Sequence, residues 1–367
     1  MAEVHCPVGV DAWLVSRYED IKTLLADPRL SSRAASSLHM LPIADLTRTP
    51  SPGAIIQADG EEHARLRRLL IGEFTVRRME ALRPYIQRIT DEHIEAMLKG
   101  DGADLVRDFA LPIPSLVICE MLGVPYDDRE AFQHDSEILI SFDSDKATRD
   151  AATERLWGYL DELIGQRLAA PRDDLLSRLI ARGNETGRPL TVDELVTLGV
   201  TLLVAGHETT ANMIALSTVV LLENPEQLAA LRVAPEAAGA AVEELLRYLS
   251  VVQFGLFRYA MEDVTVGGAE VKAGEWLVGA IQSGNRDEEV YQSPDALDLG
   301  RQALTHLAFG FGAHQCLGQQ LARIELQVAL TTLFRRVPGL RLARPLTQSE
   351  FKQNDVVYGV RSLAVTW

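Results

Sequence analysis

Phe309-Gly310-Phe311-Gly312-Ala313-His314-Gln315-Cys316-Leu317-Gly318 crowds three glycines ahead of and around a single cysteine. Glycine tolerates backbone angles and close approaches that other residues do not. The apolar-periodic stretch that follows, ending before Pro338, predicts a helix, which sets Cys316 at a helix N-terminus. Free N–H groups and the helix dipole favour an anion there, so the Cys316 thiol is expected to ionise easily and to suit a metal ligand. A dinucleotide-phosphate loop is excluded: after Gly310-x-Gly312 the third glycine is missing, Gln315 standing there, and no clear strand precedes it.

Upstream, Thr191 and Glu194 have the spacing of a capping box, and the segment they open runs without proline to Asn224-Pro225. It is apolar almost all round and predicts a long, buried helix of roughly 45–50 Å. Inside it stands Ala205-Gly206-His207-Glu208-Thr209-Thr210, a charge and two hydroxyls in an apolar helix. Burying a charge is costly unless it is paired or used, and a Thr hydroxyl can bond the carbonyl one turn back. His207-Glu208 begins a zinc-hydrolase motif, but Ala211 stands where the second His belongs, so that reading fails.

Other helices are predicted over Ser16–Leu25, over Glu61–Met97 with a break at Pro84, and from Pro235 to Tyr248. Val264-Thr265-Val266, Val271 and Trp276-Leu277-Val278 read as short strands. Residues 31–57, rich in Ser, Pro and Thr, read as a long binding loop. The class is mainly α with a small β region.

Asp and Glu total 52 against 36 Lys and Arg, and the net charge of -16 argues against nucleic-acid binding. Three cysteines, Cys6, Cys119 and Cys316, make no disulfide framework and fit a reducing compartment. No leader peptide and no uncharged apolar run of membrane-spanning length is visible, so a cytoplasmic protein without a membrane anchor is expected.

Phe-x-x-Gly-x-x-x-Cys-x-Gly over residues 309–318 resembles the haem-binding loop of the cytochrome P-450 family. Gly206, Glu208 and Thr209 resemble that family's oxygen-activating stretch. The resemblance runs from Trp13-Leu14-Val15 to Val365-Thr366-Trp367 and is nearest to actinobacterial members that oxidise macrolides, other natural products and xenobiotics. Leu203–Asn212 and Glu243–Ser250 carry that nearness. One departure is a shorter N-terminal segment, where the family often flanks the substrate entrance.

The resemblance implies the cytochrome P-450 fold as one domain over 1–367, haem b with Cys316 as the iron ligand, and O2 as co-substrate. It places His63, Arg67, Ala205, Arg258, Phe309, Gly310, His314 and Gly318 against the haem, with His63, Arg67, Arg258 and His314 at its propionates. It gives Gly206 the role of leaving a gap for dioxygen, and Thr209 and Glu208 that of managing protons. Glu244, Arg247 and Arg301 would form a structural ion-pair network; read alone, Glu-x-x-Arg is a surface pair. Asn285-Arg286-Asp287 matches a family landmark, and His306 reads as structural.

Val204, Ala205, Val251, Val252, Phe254, Val356 and Val357 are expected to face substrate, an apolar set suited to a bulky hydrophobic molecule such as a macrolide or polyketide. The implied activity is hydroxylation or epoxidation by a monooxygenase. Electrons would come from a ferredoxin and its NAD(P)H-dependent reductase, because no flavin domain is present. Arg65, Arg67, Arg68, Arg77, Arg78, Arg83 and Arg88 form a basic island in an acidic chain, a candidate ferredoxin dock centred on Arg65 and Arg68. Two other readings are a peroxide-using or oxidative-coupling relative and a non-catalytic family member that recruits partners. The presence of Glu208 and Thr209 weighs against the first, and that of Cys316 and Thr209 against the second.

Overall fold

The computed structural model describes residues 1–6, 9–33, 51–253 and 256–367. Twelve α-helices dominate the described residues: α1 Tyr18–Ala26, α2 Gly60–Ile71, α3 Val76–Met97, α4 Pro112–Leu122, α5 Arg129–Ile140, α6 Lys146–Ala169, α7 Leu175–Glu185, α8 Val192–Glu223, α9 Pro225–Val233, α10 Ala238–Leu249, α11 Ile281–Gly284 and α12 Gln319–Arg336. The strands are short: β1 Ala2–His5, β2 Asp11–Val15, β3 Leu30–Ser31, β4 Gly102–Asp104, β5 Phe257–Ala260, β6 Val264–Val266, β7 Ala269–Val271, β8 Trp276–Gly279, β9 Arg341–Leu342 and β10 Ala364–Thr366.

The capping box forms as expected: the Thr191 hydroxyl accepts from the Glu194 N–H, and the Glu194 carboxylate accepts from the Thr191 N–H. From it α8 runs 32 residues through the centre, buried for most of its length. It packs against α4, α5, α6, α10 and α12. Helix α4 opens on Pro112 and closes on Gly123 at φ 74°, a left-handed residue that ends a helix without a Cβ penalty.

Two expected boundaries move. Pro84 lies inside α3 and does not end it. The missing N–H costs one ladder bond, but the helix continues because Met79, Ile86, Ile89 and Ile94 bury one face, and α3 packs on α12. The break comes earlier, at residues 72–75. Pro235 starts a short 3₁₀ turn, and the α-helical ladder begins only at Ala238.

The largest sheet has the order β1-β2-β8-β5-β3, with β2 and β8 parallel and the other neighbours antiparallel. It holds Arg258 on β5 opposite Leu277. A second sheet has the order β4-β10-β9, and β6 and β7 form a hairpin. Among the described residues no helix is long and apolar enough to cross a membrane.

Candidate active site

The cysteine loop is built on left-handed glycines. Gly310 has φ 69° and Gly312 φ 74°, and a Cβ on Gly312 would stand 2.9 Å from the backbone oxygen of Leu25. A 3₁₀ turn at Gly312–His314 and a bond from the Cys316 N–H to the Phe309 carbonyl (2.8 Å) fold the loop back on itself. The Phe309 ring is held between His306, at 5.6 Å between centroids, and the Arg323 guanidinium at 4.6 Å. Gly318 is the N-cap of α12.

Cys316 is an exposed residue that opens onto a cavity, with protein packed around its sulfur. The expectation of an easily ionised thiol is corrected here. Burial raises its pKa, because an anion there would lose water. The N–H groups of Gly318 and Gln319 and the charges of Arg67 and Arg323 pull the other way without overcoming it.

That cavity has a volume of about 370 Å³ and mostly apolar walls. Cys316, Phe309, Gly310 and Gly318 line it from the loop; Ala205, Gly206 and Thr209 line it from α8. Thr209 turns its hydroxyl to the Ala205 carbonyl, 2.9 Å away, one turn back along the helix. Gly206 stands on the cavity wall, and its missing side chain lets Ile118 of α4 approach: a Cβ there would stand 3.0 Å from that side chain.

Donors gather near one edge of the cavity. The His63 and His314 rings lie 4.0 Å apart, and Arg67 donates to the Gln315 carbonyl at 2.7 Å. Arg258 is buried and donates to its neighbour, the Phe257 carbonyl, at 2.8 Å. Burial pushes its guanidinium down to about 10, with only the distant charge of Asp59 opposing. Burial, then His63 and Arg258, push His314 down to about 3. Asp59 is 3.9 Å from His314 and is already engaged by Ser31 and the Ser32 N–H.

A buried arginine with no carboxylate hydrogen-bonded to it among the described residues is a place for an acidic ligand. Apolar walls, a cysteine sulfur on one side and this donor cluster at the edge fit haem, a flat apolar macrocycle with two carboxylates and an iron that accepts a thiolate.

Glu208 lies elsewhere on α8. It is buried, 3.8 Å from the Lys352 ammonium and 3.5 Å from His207 Nε2, and lines a second, polar cavity of about 240 Å³. Asn212 donates to its backbone carbonyl at 2.8 Å. Burial alone would raise the Glu208 pKa, but His207, Lys352 and Asn212 reverse the shift and lower it. Thr209 and Glu208 are thus neighbours in sequence that face two different cavities.

The network expected around Glu244 is present, with Glu244 and Arg247 fully buried and Arg301 partly so. Arg247 holds Glu244 by two contacts and Arg301 adds a third at 3.1 Å. Asn285 donates to Ser250 Oγ and accepts from the Leu307 N–H, both at 2.7 Å. His306 pairs with Glu243, which also takes Arg323.

Of the residues expected to face substrate, Ala205, Val251 and Val252 line the cavity. Val204 does not: about 100° round the helix from Ala205, it points into the core. Val357 is bridged to Val252 and packs inward, and Val356 is tied to Ile140 and Gln253, so neither reaches the wall. Phe254 and residues 34–50 of the proposed binding loop lie outside the described residues; Ile55 and Ile56 from the loop's end do line the cavity. The basic island is largely neutralised. Arg65 is held by Glu62 and Glu194, Arg78 by Glu73, Arg83 by Glu80 and Arg88 by Glu92.

Two residues escaped sequence reasoning. Glu325 on α12 is buried, its Oε1 has no hydrogen-bond partner among the described residues, and burial pushes its carboxyl up to about 8 against a contact with Thr210. The signal was a lone acid between Ile324 and Leu326 on a buried helix. Lys352 comes from a C-terminal segment with no motif around it.

The family model for cytochrome P-450 matches residues 237–338, the stretch from α10 through α12. Cytochrome P-450-SU2 of Streptomyces griseolus is 47% identical over 98% of this chain and 88% of its own length. Pentalenic acid synthase of Streptomyces avermitilis is 46% identical over 98% of this chain and 89% of its own. The crystal structure of CYP105P1 in complex with filipin I superposes with a TM-score of 0.93 at 45% identity, covering 100% of this chain and 92% of that one. The cysteine loop faces a central helix across an apolar cavity, and the chain belongs to the cytochrome P-450 family as one of its monooxygenases.

Proposed function

We propose that the chain, acting as one unit over residues 1–367, is a haem-thiolate monooxygenase for a bulky hydrophobic small molecule, with Cys316 as the iron ligand. The observation that carries the reading is the arrangement of Cys316 and Thr209 on the walls of one apolar cavity. The family implies haem iron and O2. When bound, haem b supplies the reductive cleavage of O2 that puts one oxygen atom into a C–H bond or an alkene and releases the other as water.

The protein's own residues do the rest. His63, Arg67, Arg258 and His314 hold the two carboxylates, arginine doing so with its paired donors. The N–H groups of Gly318 and Gln319 reduce charge on the Cys316 sulfur. Ala205, Val251, Val252, Ile55 and Ile56 exclude water and accept an apolar substrate. Thr209 Oγ1 holds a proton at the cavity, its hydroxyl anchored on the Ala205 carbonyl. Glu208 takes up and releases protons behind it.

The apolar wall, a relative's structure with filipin I and a relative named as a pentalenic acid synthase support a natural product of macrolide, polyketide or similar bulk. A ferredoxin and its NAD(P)H-dependent reductase supply the electrons.

The test is the absorbance difference spectrum of dithionite-reduced protein with and without carbon monoxide. A strongly red-shifted Soret band, lost in Cys316→His, is expected. A band typical of His-ligated haem in the wild type would overturn the ligand assignment. Spin-state shifts across a hydrophobic library then identify substrates, and Thr209→Ala is expected to take up electrons with little product.

A further inference from the structure

The second cavity has a wall of its own on the far side of α8. Glu208 and Ala211 line it from α8, Gln133 and Glu137 from α5, and Lys352 and Arg361 from the C-terminal segment. Its charged groups form a graded series. The Glu208 side chain is 4% exposed, Lys352 8%, Arg361 40% and Glu137 45%. The spacings along it are regular: Glu208 Oε2 to Lys352 Nζ 3.8 Å, Lys352 Nζ to Glu137 Oε1 3.9 Å, Glu137 Oε1 to Arg361 Nη1 3.7 Å.

These distances are too long for direct hydrogen bonds. Elsewhere in the molecule buried ion pairs close fully, as Arg247 does on Glu244 at 2.7 Å. Here the partners stand apart around a space of about 240 Å³ lined by amide, carboxylate, ammonium and guanidinium groups. A polar space of that size with several partners holds water, and polar groups just beyond contact distance are bridged by it.

From this we infer that Lys352 and Glu137, with water in the second cavity, form the route by which protons from solvent reach Glu208. The inference rests on the reading of Glu208 as the proton-handling acid. Each passage moves one proton. Water at the exposed Glu137 and Arg361 mouth releases it, bridging water hands it past the Lys352 ammonium, and the Glu208 carboxylate takes it to become the acid. Glu208 returns to carboxylate on giving the proton up towards Thr209, so the route carries a proton and no electrons. Lys352 is a positioning residue: its charge keeps Glu208 ionised between deliveries and orients the bridging water. The lowered pKa of Glu208 agrees with that role.

The test uses the haem-loaded enzyme with 7-ethoxycoumarin as the probe and a plant-type ferredoxin with its NADPH-dependent reductase as the electron source. Lys352→Met and Glu137→Gln are expected to lower product per NADPH roughly 10-fold, less than the roughly 100-fold expected for Glu208→Gln, which hands the proton on directly. Lys352→Arg is expected to restore coupling. Turnover driven by hydrogen peroxide, which brings its own protons, is expected to stay at the wild-type level in Lys352→Met, Glu137→Gln and Lys352→Arg, which also checks that these three are folded.

A readout independent of activity is a high-resolution crystal structure of the wild-type holoenzyme. It is expected to show ordered water joining Glu208 Oε2, Lys352 Nζ and Glu137 Oε1. A dry cavity, or full coupling in Lys352→Met while Glu208→Gln is uncoupled, overturns this route and leaves the role of Glu208 standing. Full coupling in Glu208→Gln overturns the underlying reading instead.

Discussion

Arg247 grips Glu244 by two parallel contacts, Nε to Oε2 at 2.7 Å and Nη2 to Oε1 at 2.8 Å, with both side chains fully enclosed. The same guanidinium donates to the carbonyls of Asn285 and Pro294, so one side chain ties α10 to the segment leading to the cysteine loop. Removing one partner of such a pair strands a charge in the interior. Arg247→Leu is expected to cost about 3–5 kcal/mol, read as a lowered urea midpoint together with loss of haem. A cost under about 1 kcal/mol, the range of exposed pairs, would show that the pair is not what holds this region.

Gly312 meets two demands at once. Its φ of 74° is strained for any side chain, and a Cβ would press on the Leu25 carbonyl at 2.9 Å, a backbone atom that cannot rotate away. Gly312→Ala is expected to cost about 1–3 kcal/mol in local strain and to loosen the turn that presents Cys316. The check is haem content per protein and the fraction of the carbon monoxide complex lacking the red-shifted band. Gly158, inside α6 and away from the cavity, whose Cβ would meet nothing within 4 Å, is the control expected to tolerate Ala.

Much of this is legible in the sequence. The capping box at Thr191 and Glu194 fixed the start of α8 because both groups act locally, within one turn. The glycines of the cysteine loop were legible because left-handed backbone narrows the choice of residue so sharply. What escaped depends on distant parts of the chain. Pro84 reads as a breaker until the packing of α3 on α12 is known. Arg65 reads as a surface cation until Glu194, from the start of α8, arrives beside it. Val204 and Ala205 cannot be told apart as wall and core without the rotation of α8 about its axis. Lys352 reaches Glu208 only through the fold of the C-terminal segment.

Glu325 gives the protein a pH dependence with a definite sign. Burial raises its carboxyl from an ordinary value of 4.5 to about 8 in the folded state. The unfolded chain therefore releases this proton first. The stabilisation from the neutral form is complete below about pH 4.5 and is lost as pH rises towards 8, by several kcal/mol at most, on the order of 1.4 kcal/mol per pH unit. Glu325→Gln keeps the shape and stays neutral. It is expected to flatten the fall in stability between pH 5 and 8, measured by urea unfolding at a series of pH values. An unchanged slope would show that Glu325 is ionised in the folded protein.

The ion pairs of α2 and α3 narrow the proposed ferredoxin dock to a smaller patch. Arg65 is tied down between Glu62 and Glu194, whereas Arg68 and Arg77 stay exposed on the same basic segment. Surface charges of this kind steer encounter and are screened by salt. Arg68→Glu and Arg77→Glu are each expected to slow reduction by a plant-type ferredoxin roughly 10-fold at low ionic strength, the difference shrinking as salt is added. Arg65→Glu would instead place a third carboxylate beside Glu62 and Glu194, and is expected to lower thermal stability. Stopped-flow reduction under carbon monoxide, run across a salt series, separates the two effects. Equal rates for wild type and the Arg68 and Arg77 variants at low salt would remove this patch as the docking surface.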